Sequence, residues 1–164
     1  GRDQPAGPEN HNIYIQRGVT GLVIRDSLIA RGSSHGVQAR NGGDIIGNVF
    51  WRNAIDMVWG NEGKRSSEPP VIGGISGNVV LESTDIASSA VRRWGFQLMN
   101  GLDFDLVGNV FASPTGYSDS RAILMSDNNP STNAGVVKGN AVDGYETALR
   151  IGADDVRDTG LLVE

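Results

Sequence analysis

The chain has 164 residues, a net charge of −5 and no cysteine, which is the size of one domain with neither a disulfide framework nor a thiolate metal site. The acidic balance speaks against nucleic acid as a partner, and no apolar run of about 18 residues is present to insert into a membrane. Glycine outnumbers proline 23 to 6, as repeated corners require, and the basic residues are almost all Arg, the side chain that grips carboxylate or sulfate at two points.

Residues 1–11 read as a polar lead-in loop, 12–153 as the folded domain and 154–164 as a charged C-terminal tail or cap. Asn12 to Gln16 alternates as a strand, with Ile13 and Ile15 on one face. Val23-Ile24-Arg25-Asp26-Ser27-Leu28 then introduces a line that recurs, with Asp26 in the place that Asn takes later. The full copies are Ile45-Ile46-Gly47-Asn48-Val49-Phe50, Ile75-Ser76-Gly77-Asn78-Val79-Val80, Leu106-Val107-Gly108-Asn109-Val110-Phe111 and Val137-Lys138-Gly139-Asn140-Ala141-Val142. In each, the residue three before the Asn and the residue two after it are apolar. Gly accepts a left-handed backbone and Asn nearly does, so Gly-Asn marks a corner with an inward residue on either side. Hairpin turns in a sandwich would favour Asn-Gly instead. A period near 30 residues predicts a solenoid, all-β, in which Asn48, Asn78, Asn109 and Asn140 stack as a structural ladder about 4.8 Å apart. The expected fold is a right-handed parallel β-helix of five to six coils, part of a longer helix.

A second repeated strand lies outside the corners: Gly36–Arg40, Ala54–Val58, Gly95–Met99, Ala122–Ser126 and Ala148–Ile151. Its two-residue period predicts an inward stack of Val37, Ile55, Phe96, Ile123 and Leu149. The outward stacks are Gln38, Asp56, Gln97, Leu124, Arg150 and Arg40, Val58, Met99, Ser126. Polar insertions at Gly60–Pro70, Glu82–Arg93, Ala112–Arg121 and Asp127–Asn133 flank this strand and mark one face as a groove. No amphipathic helix caps the N-terminal end. The first coil is therefore expected to be covered by upstream coils or by another chain, and the missing initiator Met fits a mature or excised piece of something longer.

No His/Cys cluster has metal-ligand spacing. The catalytic candidates are Asp56, an outward carboxylate between apolar neighbours; His35, a turn histidine; and Arg40 and Arg121 beside the groove. A solvated strand carboxylate and a histidine bonded to a nearby carbonyl are the plainer readings of the first two. Gln38, Lys64, Arg92, Arg93, Trp94, Gln97, Tyr117 and Arg150 are the candidates for substrate binding, by bidentate contact and by ring stacking. Solubilising ion pairs explain most of the arginines equally well. Trp59 falls in the inward register. Calcium would suit the groove carboxylates, although no consecutive calcium loop is present.

The four Gly-Asn corners and their aliphatic flanks resemble the pectate-lyase-like superfamily of right-handed parallel β-helices, over about residues 12–151. That resemblance implies a secreted or cell-surface protein acting on polysaccharide. The activity it suggests first is a lyase on acidic, uronate-containing chains. A hydrolase with paired carboxylates, or a non-catalytic adhesin or tailspike-like module, are the alternatives it leaves open.

Overall fold

The computed structural model describes residues 10–61, 68–84, 92–113, 117–126, 135–152 and 162–163. All regular structure among them is strand. In chain order the strands fall into triplets. The first triplet is β1 (His11–Ile15), β2 (Val23–Arg25) and β3 (Leu28–Ala30). Next come β4 (His35–Ala39), β5 (Asp44–Ile46) and β6 (Val49–Trp51), followed by β7 (Ile55–Gly60), β8 (Val71–Ser76) and β9 (Val79–Leu81). The fourth triplet is β10 (Trp94–Met99), β11 (Gly101–Val107) and β12 (Val110–Ala112). The fifth is β13 (Arg121–Ser126), β14 (Gly135–Lys138) and β15 (Ala141–Asp143). β16 (Thr147–Ile151) and β17 (Leu162–Val163) complete the set.

Every third strand joins the same sheet. Sheet A runs β1-β4-β7-β10-β13-β16, sheet B runs β2-β5-β8-β11-β14-β17, and sheet C runs β3-β6-β9-β12-β15. All strand pairings among the described residues are parallel, from β1 with β4 to β14 with β17. Three parallel sheets whose strands stack layer on layer form an all-β architecture compatible with a parallel β-helix. The core is the space between the sheets. Phe96 there meets Phe50 and Phe111 edge to face, with centroids 5.2 and 5.0 Å apart. Trp59 is fully buried, as its register predicts, and its indole N–H donates to the Gly43 carbonyl at 3.0 Å.

Sheets B and C meet at the Gly-Asn corner. Gly47, Gly77, Gly108 and Gly139 all have φ between 62° and 65°, the left-handed region that favours glycine. Asn48 donates through Nδ2 to the Asn78 Oδ1 at 3.1 Å, Asn78 to Asn109 at 2.9 Å, and Asn109 to Asn140 at 2.9 Å. Each Oδ1 also accepts the backbone N–H of the Asn before it, and each Nδ2 also donates to a carbonyl of the preceding layer, such as Ile45 for Asn78. Asn48, Asn78 and Asn109 have no exposed surface.

Two register expectations need correction. Ser27, not Asp26, pairs with Asn48, and its N–H donates to the Asn48 Oδ1 at 3.1 Å. Asp26 takes the glycine place with φ 51°, so Ile24 and Ile29 point inward while Val23 and Leu28 are exposed. A short polar residue tolerates that backbone, which is why Asp-Ser stands in for Gly-Asn. In sheet A, Val37 and Phe96 both align with Met57, so Met57 replaces Ile55 in the inward stack. Val58 and Gly60 then take the outward places expected for Asp56 and Val58. The alternation of β7 reads alike in both registers, and only the neighbouring strands decide between them. In the segment read as a tail or cap, Leu162 and Val163 form a last strand beside β14; the rest of that segment lies outside the described residues.

The other corners carry different devices. Between sheets C and A, Arg31, Arg52 and Glu82 adopt φ 58°, 56° and 55° without being glycine, at a cost of roughly 1 kcal/mol each. Between sheets A and B, the buried Asn61 backbone carbonyl accepts the Asn100 amide at 2.6 Å, and the Asn61 Oδ1 accepts Arg40 at 2.8 Å.

Replacing Asn78 with Ala removes the group that satisfies buried backbone on both sides. It should lower the unfolding free energy by about 1–3 kcal/mol. Asn140→Ala, at a half-buried end rung, should cost clearly less. Urea denaturation of the two variants reads the difference.

Candidate functional site

One row across the outer start of sheet A gathers several of the expected residues. The register aligns His11, His35, Ile55, Trp94, Arg121 and Thr147 on successive strands. Arg92 and Arg93 lead into β10. Arg93 has φ 65°, which lets its own N–H and that of Trp94 both donate to the Ala54 carbonyl, at 3.0 and 3.1 Å. That turn places Trp94 beside Arg121. The guanidinium carbons of Arg92 and Arg121 lie 5.1 and 5.2 Å from the Trp94 ring centroid, and that of Arg93 lies 4.2 Å from the Tyr117 ring. Arg121 also pairs with Asp119 at 2.7 Å. Three guanidinium groups and two rings thus share one edge, with half-buried side chains held by stacking.

His35 belongs to the same row. Its ring stacks on His11 at 4.5 Å with 6° between planes, and its Nδ1 lies 2.7 Å from the Ser34 Oγ. Burial first, and then the charges of His11, Arg92 and Arg40, push it down to about 4. At neutral pH it is an uncharged ring and a weak base. Arg40 sits just past the far end of the same strand, where its Nε donates to the Tyr14 hydroxyl at 2.9 Å.

Asp56 is not on the outer face. It falls level with Gly36 and Gly95, whose positions leave no room for a Cβ, and it has no exposed surface. Asn53 Nδ2 donates to its Oδ1 at 2.8 Å and the Ser83 hydroxyl to its Oδ2 at 2.5 Å. The Ser83 Oγ lies 2.6 Å from the Tyr145 hydroxyl. Burial pushes Asp56 up to about 7 against these stabilising hydrogen bonds, and burial followed by the Asp56 charge raises Tyr145 as well. No ligand reaches this carboxyl from outside.

The outward row of sheet A is Tyr14, Gln38, Val58, Gln97, Leu124 and Arg150. Its middle is closed: Val58, Gln97 and Leu124 are only 3%, 8% and 7% exposed, and Gln97 donates to the Ser126 hydroxyl at 2.9 Å. Gln38 is half-buried and Arg150 exposed at the ends. The open groove expected along Gln38, Asp56, Gln97 and Arg150 is therefore not continuous. Lys64 lies outside the described residues.

A feature the sequence reading missed lies on sheet B. A depression of about 390 Å³ is lined by Gly21, Leu22, Gly43, Asp44, Ile72, Gly73, Asp103, Phe104 and Asp105. The glycines open it, and Asp44 and Asp105 flank Gly74 from the neighbouring strands, with the Gly74 N–H donating to Asp44 at 2.9 Å. Among the described residues no three His, Cys, Asp or Glu side chains are grouped to hold a metal ion, so nothing identifies a calcium site. No helix in that set is long and apolar enough to cross a membrane.

No protein-family model, curated protein or solved structure matches this chain. Fold and edge together define an all-β protein of stacked parallel sheets that carries an arginine-aromatic cluster.

Asp56 gives a pH prediction. Its folded value, about 7, lies above the ordinary 3.8, so the folded chain holds a proton that the unfolded chain has released. Stability from this group is complete below about pH 4 and is lost as pH rises to about 7, a decline on the order of 4 kcal/mol. Asp56→Asn should flatten that slope in denaturation curves taken at pH 5 and pH 8.

Proposed function

We propose that the chain is a right-handed parallel β-helix of the pectate-lyase-like class, secreted or at the cell surface, that binds an acidic polysaccharide. The observation that carries this is the edge where Arg92, Arg93 and Arg121 surround Trp94 and Tyr117. Guanidinium groups oriented by stacking suit uronate carboxylates or sulfates, and ring faces suit sugar rings. Binding is a better reading than lysis. A lyase needs a base beside the ligand, and the candidates are dispersed: Asp56 is buried, Arg121 is paired with Asp119, Arg40 lies past the other end of its strand, and His35 is a weak base.

One observation favours a second reading, an inverting hydrolase. Asp44 and Asp105 lie two strand spacings apart across Gly74, about 9.6 Å by backbone, which approaches the separation that leaves room for a water between two carboxylates.

The test is affinity electrophoresis and calorimetry with polygalacturonate, alginate and a neutral glucan, with product assays alongside. The acidic chains should bind and the neutral one should not. Trp94→Ala with Arg121→Ala should weaken binding at least about tenfold, or ~1.4 kcal/mol. Ultraviolet growth from unsaturated ends would select the lyase, and reducing ends lost in Asp105→Asn the hydrolase. Equal binding of all three glycans, unaffected by the double variant, would end the proposal.

A further inference from the structure

The outer face of sheet C is apolar across all five of its strands. One outward row is Leu28, Val49, Val79, Val110 and Ala141; the next is Ala30, Trp51, Leu81, Ala112 and Asp143. Their inward neighbours Ile29, Phe50, Val80 and Phe111 already fill the core. Nine of ten outward places are therefore apolar where a soluble sheet face would alternate with polar residues. Leu28 is 69% exposed and Val110 43%. The neighbouring corner adds no cover, since a Cβ at Gly77, Gly108 or Gly139 would meet nothing within 4 Å. Contiguous exposed patches of this kind mark interaction surfaces.

We infer that this face is the contact between two copies of the chain, packed sheet on sheet about a two-fold axis parallel to the strands. The occupant follows from self-complementarity. Such an axis lays the first strand of one copy over the last strand of the other and leaves each row facing itself. Leu28 then lies over the second copy's Ala141, and Trp51 over its Ala112, so each large residue meets a small one. Val49 faces Val110, while Val79 and Leu81 face themselves at the centre.

The one polar member, Asp143, falls over Ala30, next to Arg31. Arg31 is already held near that spot by stacking on Trp51, 5.1 Å from the ring centroid. Arg52 also stacks on Trp51, 5.1 Å from the ring centroid, and pairs with Glu82 at 2.8 Å. With the first strand over the last, size and charge both match. Five strands at about 4.8 Å spacing, each three residues long, give roughly 240 Å² per copy, a small interface of the weak, concentration-dependent kind.

Sedimentation of the intact chain tests the pairing. At about 100 μM the mass should approach twice the 17.4 kDa of one chain, and dilution should return it to one. Val79→Lys puts like charges together on the axis and should give the single-chain mass at every concentration. Ile72→Lys, an exposed site on sheet B, should change nothing. Arg31→Asp and Asp143→Arg should each weaken the dimer about tenfold, and the double variant should restore it. Circular dichroism confirms that each variant folds. A single-chain mass for the natural sequence at the higher concentration, a dimer left intact by Val79→Lys, or a double variant no tighter than the singles would overturn the inference.

Discussion

The structure depends on the asparagine ladder at the corner between sheets B and C. A corner packed on both sides by inward aliphatic residues has no water to satisfy its backbone, and an unpaired group there costs on the order of 1–3 kcal/mol. Each asparagine meets that demand with one amide, accepting from the layer before it and donating to the layer after it and to a carbonyl of the layer before. The glycine ahead of it supplies the left-handed turn that sends the chain from one sheet to the next. Because each bond reaches the neighbouring layer, the ladder also fixes the register between layers. Flanking pairs such as Ile75 with Leu106 and Val80 with Phe111 follow from it.

That ladder was legible in the sequence because Gly-Asn with two apolar flanks is a pattern hard to produce otherwise. Its first, degenerate copy was misplaced by one residue: Asp26 resembles Asn chemically, yet the backbone needs it in the glycine place, with Ser27 on the rung. Ile55 and Met57 were confused because both are apolar and two apart, a slip that a two-residue period cannot detect. Alternation puts Asp56 on the outer face in either register; the structure instead encloses it with Asn53, Ser83 and Tyr145, which come from three separate stretches of chain. The corner between sheets C and A was invisible, since Arg31, Arg52 and Glu82 are not residues that announce a left-handed turn. The arginine-aromatic edge was largely legible. Trp94 and Arg121 both open strands in the same sheet, and their alignment brings Arg92, Arg93 and Tyr117 with them.

The three sheets share one core but present different faces to solvent. Sheet A is closed along its middle by the burial of Val58, Gln97 and Leu124, and it displays its charge at the strand starts. Sheet B is opened by glycines into a shallow acidic depression. Sheet C is apolar on its outer face. Stacked parallel sheets permit this because each layer adds one strand to every face, so a residue type repeated at one layer position becomes a stripe of one chemistry. The buried Asp56 shows the opposite case, one acidic residue in a place where the other layers carry Asn12, Gly36, Gly95, Ala122 and Ala148, tolerated because Asn53 and Ser83 donate hydrogen bonds to it while burial raises its carboxyl to about 7.

Hydrogen exchange followed by NMR tests the ladder most directly. The backbone and side-chain amide protons of Asn48, Asn78 and Asn109 should exchange at rates set by global unfolding, with Asn140 faster, and contacts between strands should be those of parallel pairs such as Ile75 with Leu106. Side-chain amides of Asn78 that exchange as fast as exposed ones, or close Hα–Hα contacts that mark antiparallel strands, would contradict the account.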